Sequence, residues 1–238
     1  MNIALLLSGG AGTRLKSERP KQYIDVAGKM LITYSLETLI RSSRIDAIQI
    51  VAEPGWREHI IADAKKRDLC TDKIMDFAMP GVNRQASILN GLESIIRQKE
   101  ISVEDTVLIH DAARPNLTEG MIGECLQALQ GHDGVMPVLP MKDTVYLSTD
   151  GRRVSELLDR SRIFAGQAPE LFRLKKYYRA NMDLQPDKLL KINGSTEPAV
   201  LAGMDIAMIP GDENNFKITT KPDLEKFERI LRDQVHDE

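Results

Sequence analysis

Short aliphatic segments alternate with longer segments of helical periodicity over the first half of the chain, and this order constrains the fold most. It predicts a parallel β-sheet flanked by helices, because two parallel strands must be joined by a long crossover that is usually a helix. At 238 residues the chain has the length of one large α/β domain, so we expect a single domain over 1–238. The predicted strands are 3–7, 47–51, 73–77 and 106–109, and the predicted helices are about 31–41, 56–67 and 84–98.

The pattern changes after about residue 134, where a strand leads into a long predicted hairpin at 139–162. This hairpin turns at Thr149-Asp150-Gly151 and is typical of an arm that projects from the sheet. Unpaired strands need cover, and a second copy of the chain is the natural supplier, so we expect a homodimer through the arm. The remaining segments are predicted as a helix near 170–181, a strand near 205–209 and a helix from Pro222 to about 232.

A glycine-rich segment follows the first predicted strand and indicates a phosphate site. Gly9, Gly10 and Gly12 allow backbone N–H groups to approach phosphate oxygens. Arg14 and Lys21 supply positive charge beside them. Two better-known loops do not fit, since the third glycine of a dinucleotide-binding turn is missing and no Gly-x-x-x-x-Gly-Lys-Ser/Thr segment occurs. The segment predicts a nucleoside triphosphate site, and the alternative is an ordinary strand-to-helix connection with surface cations.

Asp111 follows the predicted strand 106–109, at the sheet edge where the glycine-rich segment also lies. A carboxylate beside a triphosphate is suited to Mg²⁺, and the alternative is a cap of the following turn. Arg114 either pairs with a carboxylate or contacts a phosphate. The segment from Gly81 to Ser87 opens a helix, whose N–H groups and serine hydroxyl either meet a base or ribose or form a plain helix N-terminus.

Composition argues against several other classes of function. The formal net charge of −3 and the aromatic content of 5% provide neither the basic field nor the stacking platforms of a nucleic-acid-binding protein. No apolar run approaches the ~20 residues of a membrane span, and no signal region precedes the first strand. We therefore expect a cytoplasmic protein without a membrane partner. Cys70 and Cys125 have no partner at metal-ligand spacing, so both are expected to be buried as small hydrophobic side chains.

Several short segments occur together in a specific order. They are the glycine loop ending in Arg14, Pro20-Lys21-Gln22-Tyr23, His110-Asp111-Ala112-Ala113-Arg114-Pro115, Asp143-Thr144, Asp159-Arg160, and Lys217-Ile218-Thr219-Thr220. In this order and approximate spacing the chain resembles the 2-C-methyl-D-erythritol 4-phosphate cytidylyltransferases, nearly from end to end. It is also similar to the sister ribitol-5-phosphate cytidylyltransferases, which share most of these segments.

The resemblance implies an α/β, Rossmann-like nucleotidyltransferase fold with a mostly parallel sheet and a projecting β-hairpin arm. It implies CTP and a polyol phosphate as substrates, Mg²⁺ as cofactor, and a homodimer whose arm reaches the partner's active site. Together with the reasoning from the residues, it assigns catalytic roles to Arg14, Lys21 and Lys217, metal binding to Asp111, nucleotide binding to Ser8, Gly9, Gly10, Gly12, Gly81 and Ser87, and acceptor binding to Thr144, Arg160 and Arg114.

The identity of the acceptor follows less directly from the sequence. Ala112 and Ala113 favour methylerythritol phosphate, because the ribitol relatives often have Ser-Val there. Segment 193–199 lacks an aspartate usual in the family, which keeps ribitol phosphate or another alditol phosphate as the alternative. Ala168 and Glu170 also stand where the family usually has Thr and Gln. An inactive nucleotide-sensing protein is the alternative from another class, and an NAD-dependent oxidoreductase would require NADH binding, which we do not expect.

Overall fold

The computed structural model describes residues 1–10 and 19–236, and within these ranges the chain forms twelve strands and seven α-helices. The strands are β1 (Asn2–Leu7), β2 (Asp25–Val26), β3 (Lys29–Met30), β4 (Ala47–Val51), β5 (Ile74–Ala78), β6 (Thr106–Asp111), β7 (Gly134–Pro140), β8 (Val145–Leu147), β9 (Glu156–Leu158), β10 (Phe164–Gly166), β11 (Glu170–Arg173) and β12 (Ile206–Pro210). The helices are α1 (Leu31–Arg41), α2 (Pro54–Lys65), α3 (Arg84–Gln98), α4 (Glu119–Ala128), α5 (Leu174–Met182), α6 (Glu197–Leu201) and α7 (Lys221–His236).

Eight of these strands form one central sheet in the order β10-β7-β11-β6-β1-β4-β5, with β12 paired to β7. The β6-β1-β4-β5 part is parallel, and β12 runs parallel to β7. The strand β11 is antiparallel to both β6 and β7. The predicted α/β fold with a mostly parallel sheet is confirmed, and the carboxyl ends of β1 and β6 meet at one edge.

Both faces of the sheet are covered, as the alternation of strands and helices predicts. Along β1, Ala4 and Leu6 pack on one face against α1, α2 and α4. Ile3 and Leu5 pack on the other face against α3 and α5. This alternation follows from the period of two in a strand, and nearly all apolar residues of the central strands are fully buried. The core therefore fixes the strand ends from which the site residues project.

The predicted helix near 170–181 is wrong over its first four residues, which form β11. Leu171 and Phe172 are fully buried and pair with β6 and β7, and α5 begins only at Leu174. Ladder hydrogen bonds and burial on both faces outweigh the weak local helical preference of this segment. The chain thus places Glu170 at the sheet edge where β6 ends.

The predicted hairpin is present as β8 and β9, which pair with each other in a sheet of their own. Gly151 has a φ of +70° at its turn, a conformation that favours glycine. Apolar side chains of this arm, such as Tyr146 and Leu157, are exposed. Of the two cysteines, Cys125 is buried as expected, but Cys70 is exposed because it follows the end of α2 at the surface. No helix in the described residues is long and apolar enough to cross a membrane.

Candidate active site

A cavity of about 470 Å³ opens at the carboxyl ends of β1 and β6, between the start of α3 and the segment before α7. The structure brings together most of the predicted site residues that it describes. Those lining the cavity are Ser8, Gly9, Gly10, Lys21, Gly81, Ser87, Asp111 and Lys217. Gly12 and Arg14 lie outside the described residues, so their predicted roles stay predictions.

Side chains of the segment Pro20–Tyr23 form hydrogen bonds with the beginning of the glycine-rich segment. The side-chain amide of Gln22 donates to the carbonyl oxygens of Ser8 and Gly10, the latter at 2.8 Å. The hydroxyl of Tyr23 donates to the Ser8 carbonyl at 2.8 Å, and its ring stacks on Trp56. Satisfying these carbonyl oxygens with buried side chains fixes the path of the loop as it leaves β1.

Two glycines of the cavity are required by close approach to neighbouring atoms. A Cβ on Gly9 would lie 2.5 Å from Cβ of Pro80, and one on Gly81 would lie 2.6 Å from the carbonyl carbon of Ala86. The Ser87 hydroxyl accepts from the Gly81 N–H at 2.9 Å and donates to the Asn83 carbonyl at 2.9 Å. This turn is therefore closed by its own hydrogen bonds, and contact of Ser87 with a base or ribose stays a prediction.

Asp111 is the charged centre of the cavity. Its Oδ1 lies 3.1 Å from Nε of Arg84, and its Oδ2 lies 2.8 Å from Nζ of Lys217. Burial acts to raise the pKa of this carboxyl, but the positive charges of Arg84 and Lys217 outweigh burial and hold the pKa well below its usual range. The carboxylate is therefore ionised at neutral pH. It joins α3, β6 and the segment before α7 across the cavity.

Lys21 and Lys217 approach the cavity from the two chain segments that flank it. The Nζ of Lys21 donates to the carbonyl oxygen of Ile218 at 2.7 Å. The N–H of Ile218 in turn donates to the Ala113 carbonyl at 2.8 Å, which ties the segment of Lys217 to the turn after β6. Among the described lining residues, Lys21, Arg84 and Lys217 oppose the single carboxylate of Asp111. The cavity is suited to a polyanion.

Arg114 has the contacts of an anchor. Its Nη1 donates to the Asn215 carbonyl at 2.5 Å, and its Nε lies 4.0 Å from Oδ2 of Asp111. Its own carbonyl oxygen lies 2.9 Å from Nε2 of His110 and accepts from Ser35 at 2.9 Å. These contacts favour the first of its two predicted alternatives, pairing with a carboxylate, and its acceptor-binding role stays a prediction.

The two predicted acceptor residues of the arm are not brought to this cavity within one chain. Thr144 and Arg160 are exposed. Arg160 opens a 3₁₀ turn capped by Asp159, and its Nη1 donates to the Lys142 carbonyl at 2.7 Å. Within one chain neither residue lines the cavity, so the acceptor-binding roles of Thr144 and Arg160 stay predictions.

The donor set fits a magnesium ion that arrives with a triphosphate. No group of three or more His, Cys, Asp or Glu side chains among the described residues is placed to hold a metal. Mg²⁺ is commonly held by one or two carboxylates, with phosphate oxygens and water as the other ligands. Asp111 is ionised and lines the cavity, so it can supply that one protein ligand.

Arg84 is the charged residue of the cavity that sequence reasoning missed. It lies within the segment predicted to open α3, yet only the folded structure shows that it faces Asp111 across 27 residues of sequence. A positive charge at the first position of a helix interacts unfavourably with the helix dipole. This unfavourable position was the one feature of the sequence that could have pointed to Arg84. Gln22 was part of a recognised segment, and its role in holding the loop carbonyls follows only from the structure.

Comparison with known proteins extends this description to the whole chain. The family model described as "IspD: 2-C-methyl-D-erythritol 4-phosphate cytidylyltransferase" matches residues 2–233. A bifunctional enzyme IspD/IspF of Maricaulis maris is 33% identical over 236 residues, which is 98% of this chain but 57% of that protein. The chain thus spans little more than half of that relative.

Two other proteins are similar over nearly their full lengths. A ribitol-5-phosphate cytidylyltransferase of Lactiplantibacillus plantarum is 30% identical over 94% of this chain and 95% of its own. The crystal structure of 4-diphosphocytidyl-2C-methyl-D-erythritol synthase from Anaerococcus prevotii has a TM-score of 0.81 at 24% identity, covering 97% of this chain and 96% of that one. That structure shows the same fold. The chain belongs to the 2-C-methyl-D-erythritol 4-phosphate cytidylyltransferase family, whose named members are nucleotidyltransferases.

Proposed function

We propose that this chain transfers CMP from CTP to the phosphate group of a sugar alcohol and releases pyrophosphate. An acceptor phosphate oxygen attacks the α-phosphorus of CTP, and the bond to the bridging oxygen of the leaving pyrophosphate breaks. The observation that carries the proposal is the cavity lined by three cations and one ionised aspartate, in a chain of this family. Such a cavity supplies what phosphoryl chemistry needs, which is positioning and positive charge.

A general base is not required for this reaction. The second pKa of a phosphate monoester lies near 6, so the acceptor is already ionised at neutral pH. His110, the neighbour of Asp111 in β6, would in any case be a poor base. Burial lowers the pKa of His110 to about 4, and its Nε2 proton is donated to the Arg114 carbonyl. We assign His110 the role of holding the turn that presents Asp111.

The cations have different tasks in this proposal. Lys21 and Lys217 stabilise the charge that develops at the α-phosphate, and Arg14, which lies outside the described residues, is assigned the same role. Asp111 is the protein ligand of Mg²⁺, and Arg84 orients its carboxylate. A bound Mg²⁺ would neutralise triphosphate charge and favour departure of pyrophosphate.

Methylerythritol phosphate is the first choice of acceptor. It is supported by the description of the matching family model and by Ala112-Ala113. Ribitol phosphate is the second candidate, and two observations favour it: the 30% identity to the Lactiplantibacillus plantarum enzyme and the unusual segment 193–199. Cytoplasmic location stays a prediction in either case.

The proposal includes a homodimer in which the arm completes the neighbouring site. Exposed apolar side chains on β8 and β9 support it, because a two-stranded hairpin with so little core is not stable by itself. Thr144 and Arg160 would then contact the acceptor phosphate in the other subunit. Mixing Arg160→Ala with Lys21→Ala protein should restore part of the activity, since some heterodimers contain one intact site. No recovery after demonstrated subunit exchange would contradict action across the dimer.

The decisive experiment measures pyrophosphate release with CTP, Mg²⁺ and a panel of alditol phosphates. One acceptor should be preferred strongly, because sites that hydrogen-bond hydroxyl groups reject analogues that lack them by roughly 10⁴ or more. A mock preparation purified in the same way without this chain serves as the control for contaminating activity. CTP binding without pyrophosphate release for every acceptor would instead favour an inactive nucleotide-binding protein.

A further inference from the structure

Gln167 is a buried glutamine that the proposed reaction does not use. It is 5% exposed and does not line the active-site cavity. A buried amide group is costly unless both its N–H and its carbonyl group are hydrogen-bonded. The partners of this side chain therefore show which part of the chain it fixes.

The side-chain amide of Gln167 bonds both backbone groups of one residue, Asp212. Its Nε2 donates to the Asp212 carbonyl oxygen at 2.9 Å, and its Oε1 accepts from the Asp212 N–H at 3.0 Å. Two residues in an antiparallel strand pair exchange the same two bonds. The amide thus fixes both the position and the orientation of the backbone at Asp212.

The Gln167 side chain spans β7 to reach Asp212. Gln167 follows β10 and Asp212 lies just after β12, and these two strands pair with Val138 of β7 from opposite sides. A Cβ on Gly211 would overlap Oε1 of Gln167. The glycine at position 211 therefore leaves the space that the amide occupies.

Asp212 begins the turn that leads to Lys217. Its carbonyl oxygen also accepts from the Asn215 N–H at 3.0 Å, which closes the turn. The side-chain amide of Asn215 donates to the carbonyl oxygen of Ala168 at 2.7 Å. Gln167 and its neighbour Ala168 thus hold both ends of the turn 212–215, two residues before Lys217.

The segment of Lys217 is therefore held from two parts of the chain. The turn after β6 supplies Arg114, which donates to the Asn215 carbonyl, and the Ala113 carbonyl, which accepts from Ile218. The segment after β10 supplies the Gln167 and Ala168 contacts. The Lys217 side chain is long and 35% exposed, so the place of its ammonium group depends on where its backbone is fixed.

We propose that Gln167 is a positioning residue that acts through Lys217, fixing the 212–217 backbone so that the lysine ammonium group meets the charge developing at the α-phosphate. This inference rests on the proposed function, because it presumes that reaction at Lys217. It assigns the effect to the two hydrogen bonds of the amide, and not to the volume of the side chain.

The variant Gln167→Met keeps the approximate length of the side chain and removes both bonds. We would measure pyrophosphate release at saturating CTP, Mg²⁺ and the preferred alditol phosphate. A misplacement of ~1 Å can cost on the order of 10²-fold in rate, so we expect kcat to fall by roughly tenfold to 100-fold. The KM for CTP should change by less than about threefold, because Lys217 is proposed to act in the transition state. Unchanged kcat would overturn the inference.

The same substitution in a Lys217→Gln background separates a positioning role from a structural one. If Gln167 acts through Lys217, Gln167→Met should lower kcat by less than about twofold once that lysine is replaced. A structural role would lower kcat by the same factor in both backgrounds, because a smaller fraction of the protein would be folded. Equal factors would therefore refute the inference.

Gln49→Met is the matched control. Gln49 is fully buried in β4, and its Nε2 donates to the Asp76 carbonyl oxygen of the neighbouring strand at 2.9 Å. Both glutamine variants should lower the urea midpoint of unfolding, but Gln49→Met should leave kcat unchanged. An equal loss of kcat in the two variants would argue that loss of any buried amide is enough.

Gly211→Ala tests the inference even if Gln167→Met does not fold. The added methyl group should displace the Gln167 amide from Asp212, since the atom that it meets is the end of a flexible side chain. Its kcat should also fall, and this fall should disappear in the Lys217→Gln background. A fall of equal size in both backgrounds would contradict the proposed role.

The possible results separate the two proposals. Wild-type protein that releases no pyrophosphate with any alditol phosphate would refute the proposed function, and this inference with it. Wild-type protein that turns over and loses activity in Lys217→Gln, together with wild-type kcat in Gln167→Met, would refute this inference alone.

Discussion

Replacing Asp111 by Asn removes one charge at the centre of the cavity and keeps the size of the side chain. The Asp111 side chain is 11% exposed, and its partners Arg84 and Lys217 are 31% and 35% exposed. Breaking a fully buried ion pair costs about 3–5 kcal/mol, whereas exposed pairs contribute about 0–1 kcal/mol. Because both cations can regain water, we expect Asp111→Asn to lower the free energy of unfolding by about 1–3 kcal/mol at neutral pH.

The effect on stability should depend on pH in a defined direction. The pKa of Asp111 is lower in the folded chain than in the unfolded chain. Its carboxylate therefore stabilises the fold fully above the ordinary pKa near 4, and this contribution is lost as pH falls through the lower folded pKa. The difference in the free energy of unfolding between wild type and Asp111→Asn should therefore be constant from about pH 6 to 8. It should shrink below about pH 4.

Urea unfolding of both proteins across this pH range measures the difference directly, with the exposed Asp72→Asn as control. The same variant should need more Mg²⁺ for half-maximal rate and lose roughly 10²–10³ in kcat, because it lacks the proposed metal ligand. Equal stability of wild type and variant would refute the ion-pair reasoning. Reduced stability with unchanged Mg²⁺ dependence would return Asp111 to the role of a structural cap.

Three further variants test other parts of the site. Lys217→Gln should lower kcat by roughly 10²–10³ at saturating CTP, and unchanged turnover would remove this lysine from the reaction. Gly81→Ala should lower the free energy of unfolding by about 1–3 kcal/mol and raise the KM for CTP, because the added Cβ would meet the backbone at the start of α3. The control is Gly55→Ala, which has open space around the added Cβ and should change neither quantity. Arg160→Ala should raise the KM for the alditol phosphate far more than the KM for CTP. An equal rise in the two KM values would argue against an acceptor contact, and so would the same rise in the control variant Arg152→Ala.

The central sheet was predictable because its information is local and periodic. Apolar runs at 3–7 and 47–51 are buried on both faces, and the helix over 84–98 has the spacing of a helix with one buried face. Segment 170–173 was misassigned because four residues fit a strand and a first helical turn equally well. Its true state depends on pairing with β6, more than 60 residues away in sequence. Helix α4 was missed although Thr118 caps its first turn.

The candidate site was predictable to the extent that its residues occur in short segments. Ser8, Gly9, Lys21, Asp111 and Lys217 were expected together, and they line one cavity. Their pairings were not predictable, since a motif does not specify which side chain on another element faces it. The Arg84 contact and the buried Glu170 arise from the packing of α3 and β11 against β6, which a sequence pattern does not encode.

The fate of the acceptor phosphate oxygens tests the proposed reaction most directly. We would supply an alditol phosphate whose nonbridging oxygens carry ¹⁸O, together with CTP and Mg²⁺, and analyse both products by mass spectrometry. Attack of an acceptor oxygen on the α-phosphorus leaves all the label in the CDP-alditol and none in pyrophosphate. Label in pyrophosphate, or release of CMP and pyrophosphate without a CDP-alditol, would contradict CMP transfer as the function of this chain.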